Sequence, residues 1–259
     1  MFGNLSGESR TTLARKHGVI IHGVLAAFVA IPLAVSAQSA LPSGTILPVS
    51  LDGSINARKA HAGEEIRATV MQNVPGTAIR RRAHVVGHVI EASGARNGQQ
   101  KLEIRFDSVE IQGKMAPIRA NLRALASFFE VEQAQIPEEM SSRGMTPETW
   151  TTQQIGGDQM YRGGGPVGEG DQTVGSITPW GALGLPRAQA GMPCRGVIDD
   201  NTRPQAMWLF SVDACGLYGY ANIQIDHYGR SDPQGTIIIS SHDGKLNLGS
   251  GSAILLRVS

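Results

Sequence analysis

The sequence predicts an all-β protein: a small antiparallel β-barrel formed by N-terminal and C-terminal strands, with a long Gly/Pro-rich insertion between them. Three observations predict it. Five segments in succession, 45–55, 64–74, 84–92, 100–111 and 115–125, carry a two-residue apolar rhythm. The chain ends on an apolar run, Ala253-Ile254-Leu255-Leu256-Arg257-Val258, which needs a sheet to enter. Between them, residues 156–196 hold 12 glycines and four prolines, a composition that gives turns rather than a packed core. The expected organisation is therefore 1–37 as a leader, 38–126 and 206–259 as two parts of one β domain, and 127–205 as an irregular insertion.

The leader is read from its three zones. Arg10, Arg15 and Lys16 make a basic start, an apolar stretch runs over 19–35, and Val35-Ser36-Ala37 supplies the small residues that a signal peptidase reads. Cleavage is expected between Ala37 and Gln38, which places the mature protein in the periplasm or at the cell surface. An uncleaved anchor is the alternative, since residues 18–35 approach the ~20 apolar residues of a spanning helix. His22 and Pro32 weigh against it. Membrane contact would then come only through that segment.

Charge excludes one class of partner. The whole chain carries +1, and the leader, with three basic residues against Glu8, carries +2, so the remainder sits at −1. No basic field remains to attract nucleic acid. The two cysteines, Cys194 and Cys215, both lie in the exported part, where a disulfide is the default for a lone pair. Closing that loop contributes ~3 kcal/mol if unstrained. Two unpaired buried thiols are the alternative.

The strands follow in order. Leu47, Val49 and Leu51 alternate with Pro48, Ser50 and Asp52; Ile66, Ala68 and Val70 alternate with Arg67, Thr69 and Met71. In 84–92 both parities are apolar (Val85 and Val89, Val86 and Ile90), the pattern of a central strand covered on both faces. Leu102, Ile104 and Phe106 form the clearest alternation, and the switch to Val109 and Ile111 predicts a β-bulge near Asp107-Ser108. Ile118, Ala120, Leu122 and Ala124 are expected inward, against Arg119, Asn121 and Arg123 outward. Phe128, Phe129 and Val131 could cap the open end of the barrel. A short helix is expected within 137–155, with Thr146 as N-cap and Pro147 in its first turn. Trp180 and Leu183 would pin one point of the insertion. Strands return at 206–212, 217–228, 235–240 and 246–248, ahead of the final run.

"GTILPVSLDGSI", "GEEIRATVMQNV", "HVVGHVIEA", "LEIRFDSVEIQGKMAPIRANL" and the closing "LNLGSGSAILLRV" together resemble the C-terminal β-barrel of TrbI-like proteins. Short exported bacterial proteins of related arrangement share the likeness. The resemblance implies a scaffold role in conjugation or type IV secretion machines, with other envelope proteins or further copies of the chain as partners. It carries no catalytic signature.

The residues themselves add no catalytic constellation, and no cofactor is implied. Residues 163–168 match G-x-G-x-x-G inside a glycine-rich stretch with Pro166 in its middle, outside the strand-turn-helix setting that a dinucleotide site requires. His84 and His88 would stand ~13 Å apart on a strand, too far to share one ion. Ser241-His242-Asp243 are consecutive and so cannot form a relay on a strand. Arg80-Arg81-Arg82 reads as a solvated face, with a phosphate or acidic patch as the sharper alternative. Asp226, His227 and Asp232 make a polar loop, and Tyr218, Tyr220 and Tyr228 read as cross-strand packing. The expected function is a non-enzymatic, structural or protein-interaction barrel of the envelope. A secreted glycan- or ligand-binding module using Trp180, the tyrosines and the acidic loop is the alternative.

Overall fold

The computed structural model describes residues 41–96, 98–136, 151–161, 163–187, 201–225, 235–242 and 245–259. The first half runs β1 (Ile46–Leu51), β2 (Ile55–Asn56), β3 (Glu65–Val70), β4 (His84–Arg96), β5 (Gln99–Ile111), β6 (Lys114–Pro117), β7 (Ala120–Ala126) and α1 (Phe128–Gln133). The middle contributes β8 (Thr151–Gln153), β9 (Gln159–Tyr161), β10 (Pro166–Glu169), β11 (Gln172–Thr178) and β12 (Gly181–Gly184). Then come β13 (Gln205–Trp208), β14 (Gly216–Tyr218), β15 (Ile223–Ile225), β16 (Ile237–Ser241), β17 (Asn247–Leu248) and β18 (Ala253–Val258). The fold is all-β. The leader, the cleavage pair Ala37 and Gln38, and Cys194 lie outside the described residues.

Ten strands make one nearly closed barrel sheet, in the order β14–β7–β18–β1–β3–β4–β5–β16–β15, with β6 paired to β5. The last strand of the chain enters between β1 and β7, antiparallel to both, as its apolar run required. β6 leads almost directly into β7. The first half of this bent segment pairs with β5 and the second with β18, so it closes one end of the ring. Beyond the last cross-seam bond, from Ile118 N to Asp107 O (2.8 Å), β5 and β7 part. β16 and β15 extend the β5 side of the gap, and β14 extends the β7 side. β14 runs parallel to β7, the exception among the strand pairs of this sheet.

The bulge falls where the parity switch placed it. Val86 opposes Ser108 and Gly87 opposes Phe106, which leaves Asp107 as the extra residue. Leu102, Ile104 and Phe106 before it, and Val109 after it, all face the core. That core fills the barrel from Leu47 and Val49 through Val85 and Val89 to Leu256 and Val258. The ribbon of β2 and β17 adds Ile55 and Leu248 to it. β4 is central but not covered on both faces, because Val86 and Ile90 are only half-buried.

The middle of the chain departs most from expectation. Residues 151–187 are not an irregular insertion: β8 to β12 form an antiparallel meander that β13 completes as a six-stranded side sheet. β13 therefore belongs to this sheet and not to the barrel. Glycine content misled because the glycines serve the strands. Gly164, Gly165 and Gly170 take the left-handed turns, while Gly175 lets β12 approach so closely that an added Cβ would stand 2.3 Å from Leu183 O. Among the described residues of 127–205 the helix is α1, capped by Ser127, whose Oγ accepts the Glu130 N–H. The helix expected within 137–155 falls largely outside the described residues, and Thr151–Gln153 is strand.

The side sheet lies on the outer face of β1, β7 and β18. Ile46, Ala124, Ala126, Ala253 and Leu255 of the barrel pack there against Met207, Trp208, Phe210 and Val131. Arg123, expected outward into water, is instead fully buried at a second bulge. Its Nη2 donates to Arg187 O (2.8 Å) and Val212 O (3.1 Å).

Candidate functional site

The seam between barrel and side sheet is held by polar side chains placed on apolar parities. Gln72 follows Ile66, Ala68 and Val70 in the inward series and is buried. Its Nε2 donates to Ala182 O (3.0 Å) and Thr178 Oγ1 (2.9 Å), and its Oε1 accepts the Trp208 N–H at 2.7 Å. Gln154 repeats the device from β8's side, donating to Trp208 O (3.2 Å) and Phe210 O (3.0 Å). A buried amide with both ends engaged, as in Gln72, fixes its partners in position.

What Gln72 fixes is a pair of tryptophans in rare conformations. Trp180 ends the Pro179-Trp180 turn between β11 and β12 at φ +95°, where a type II turn normally carries glycine. Trp208 ends β13 at φ +51°. For bulky residues such angles cost ~1–3 kcal/mol each and persist only where the surroundings over-determine them. Here they do. Thr178 Oγ1 donates to Gly181 O (3.2 Å), and a Cβ on Gly181 would meet Trp208 Cα at 2.7 Å.

The two rings line a groove of about 460 Å³ together with Met71, Met160, Ile177 and Leu209. Trp208 is buried, whereas Trp180 is 58% exposed. The Arg81 guanidinium stacks over the Trp180 ring, 3.8 Å from its centroid. Arg81 is itself positioned by its backbone, whose N–H donates to Asn73 Oδ1 (2.8 Å). The groove thus joins an adaptable apolar wall, rich in methionine, to one cation with a fixed plane.

A larger cleft, about 610 Å³, opens at the barrel end beside Gln99, Lys101, Ser240 and His242. Its cation is already engaged, since Lys101 Nζ bonds Glu91 and Glu103 at 3.2 Å each. Those bonds, Glu91's foremost and against the opposing cost of burial, hold the Lys101 pKa above its ordinary value. No strained backbone marks it among the described residues. The seam groove is the better candidate on chemistry, although it is the smaller.

The other residues singled out from sequence fall as follows. His84 is exposed on β4, and His88 Nδ1 lies 2.5 Å from Asp107 Oδ2 at the bulge. Ser241 is buried and His242 exposed, on opposite faces of the chain; Asp243 is outside the described residues. Residues 163–168 lead into strand β10 rather than a helix, so the dinucleotide setting is missing. Tyr218 OH accepts the N–H of buried Cys215 (3.0 Å), and Tyr220 OH lies 3.0 Å from Ser252 Oγ. Burial pushes both phenol pKa values up, which suits packing. Asp226, His227, Tyr228 and Asp232 lie outside the described residues. Leu183 is half-buried in β12.

Sequence reading found Trp180 and the arginine triplet separately but did not join them. One signal for the seam was present: Gln72 is polar on an apolar parity. The contact between Arg81 and Trp180 spans residues far apart in the chain and left no local trace. Comparison with known proteins gives no matching family model, curated protein or solved structure.

Proposed function

We propose that this chain is a non-enzymatic exported protein of the cell envelope, whose barrel is the scaffold for a protein-interaction site at its seam with the side sheet. The observation that carries the reading is Trp180, an exposed ring held at φ +95° by a clamped turn. A fold bears that strain where an exact presentation of the side chain is useful. The barrel interior is filled with apolar side chains, so contact is made on the outside. Partners are other envelope proteins or further copies of the chain, in an assembly of the secretion or conjugation kind that the TrbI-like resemblance implies. A Cys194–Cys215 disulfide belongs to the same proposal and is checked by peptide mapping with and without reductant. The glycan-binding alternative is weaker, because Arg81 covers one face of the ring on which a sugar would stack.

The test is a photo-crosslinking amino acid placed at Trp180 in cells, followed by fractionation and N-terminal sequencing. A mature chain beginning at Gln38 in the envelope fraction is expected, with a reproducible protein adduct that is absent when the crosslinker sits at Glu65. An uncleaved chain confined to the cytosol, or adducts no different from the Glu65 control, would overturn the reading.

A further inference from the structure

We infer that the seam groove and the basic pocket beside it form one continuous site for an acidic peptide segment bearing an apolar anchor. The inference rests on the interaction reading above and names the chemistry of the partner. Arg81 lines both the 460 Å³ groove and a neighbouring pocket of about 290 Å³, in which Arg80 and Arg82 stand beside Glu110. Among the described residues, none of these three guanidinium groups has a carboxylate within ion-pair distance. Glu110 Oε2 instead accepts the His84 N–H, at 3.2 Å. Three cations are therefore concentrated at one end of an apolar groove, on a chain whose formal net charge is only +1.

The stacking of Arg81 on Trp180 sharpens the match. A guanidinium lying flat on an indole keeps its N–H edges free for a carboxylate, and the stack restricts the rotamers that binding would otherwise have to order. Beyond it, Met71, Met160 and Leu209 form a wall whose flexible thioethers accommodate anchors of differing shape. The groove is of a size to take roughly one or two large side chains, which suits a peptide anchor. Thr178 and Gln135 add polar groups at its rim. Anchor and acidic residues would then bind side by side, the first against Trp208 and the second against Arg81, Arg80 and Arg82.

Fluorescence anisotropy with synthetic peptides tests this. The probes are an acidic peptide with a central tryptophan, its counterpart with lysine for every acid, and an acidic peptide without the anchor. The acidic anchored peptide is expected to bind, with affinity falling as salt rises. Arg81→Gln and, separately, Trp180→Gly are each expected to weaken binding at least about tenfold. Trp180→Gly relieves the turn, so it is expected to stay folded, and thermal denaturation of both variants checks that any loss of binding does not come from unfolding. Equal binding of the lysine peptide, or full affinity in Arg81→Gln, would overturn the inference. Sedimentation with phosphatidylglycerol vesicles, lost in Arg81→Gln and without any peptide binding, would overturn the peptide occupant while leaving the interaction reading to its own test. Peptide binding without an adduct at Trp180 in cells would remove the envelope reading and leave the site.

Discussion

The barrel buries a continuous apolar core that runs from Leu47 on β1 to Val258 on β18, whereas the side sheet's own cluster is formed by Met160, Val167 and Ala182. The same strand geometry is thus held in two ways. Burial of apolar area contributes ~25 cal/mol per Å² and is non-directional, so the barrel tolerates bulges and a parallel strand. The side sheet has a small core of its own and an apolar seam with the barrel, and it adds buried hydrogen bonds from Gln72, Arg123 and Gln154, which are directional and costly to leave half-made. The strained tryptophans lie where these two regimes meet.

Phe106→Ala gives the largest expected effect. Phe106 is fully buried beside the Asp107 bulge, and its truncation should cost ~3–5 kcal/mol. Because it strikes the shared scaffold, chemical denaturation should show both sheets lost in one transition. Arg123→Met separates them. Methionine keeps much of the volume but leaves Arg187 O and Val212 O without their charged donor, at a cost of ~2 kcal/mol. Amide hydrogen exchange should accelerate across β8 to β13 and stay slow in β1, β3 and β18. Uniform acceleration in every strand would break the comparison and make the two sheets one cooperative unit.

This contrast also explains what was legible in the sequence. The barrel was readable because its forces leave a local periodic trace: Leu102, Ile104 and Phe106 gave a strand, and the parity change to Val109 gave the bulge. Even its closure by the last strand could be argued from an apolar run without a partner. In the side sheet only β13 left such a trace, as the strand expected at 206–212, and it was assigned to the barrel. Strands with Gly175 and Gly184 at close approaches, and with exposed Tyr161 and Thr173 among them, have weak alternation, and their glycines read as turns. Arg123 was misplaced for a related reason: a bulge shifts it out of the alternation, and its partners are carbonyls from 64 and 89 residues away. In the candidate site, single residues were visible, but the Arg81–Trp180 contact and the Gln72 clamp depend on tertiary packing.

Trp180→Gly probes the meeting point with a smaller effect. Relief of the φ +95° backbone is offset by loss of the Arg81 stack and by the extra freedom of glycine in the unfolded chain, so a gain of up to ~1 kcal/mol is expected. A higher melting temperature together with weaker binding would mark the residue as held for function. A clear loss of stability would show instead that the indole is a structural prop, and would shift the candidate site away from it.

The smallest effect tests how the polar regime responds to pH. Asp158 is buried in the side sheet, its Oδ2 accepts the Val212 N–H at 2.9 Å, and Arg187 nearby ion-pairs with Glu169 and Asp213. Burial, only partly offset by the Val212 bond, pushes the Asp158 carboxyl above its ordinary value. The folded protein therefore holds that proton more tightly than the unfolded chain. The stability it confers is complete below the unfolded value of ~3.9 and is lost as pH rises through the higher folded one. Asp158→Asn keeps an oxygen for Val212 and removes the charge. The variant should therefore be slightly the more stable at neutral pH, by under ~1 kcal/mol, and the difference should shrink on acidification. Urea denaturation of both proteins across the acid range measures this gap. A gap that widened toward low pH would mean that the ionised carboxylate is stabilising, through Arg187, and that charge pairing outweighs burial in holding the side sheet to the barrel.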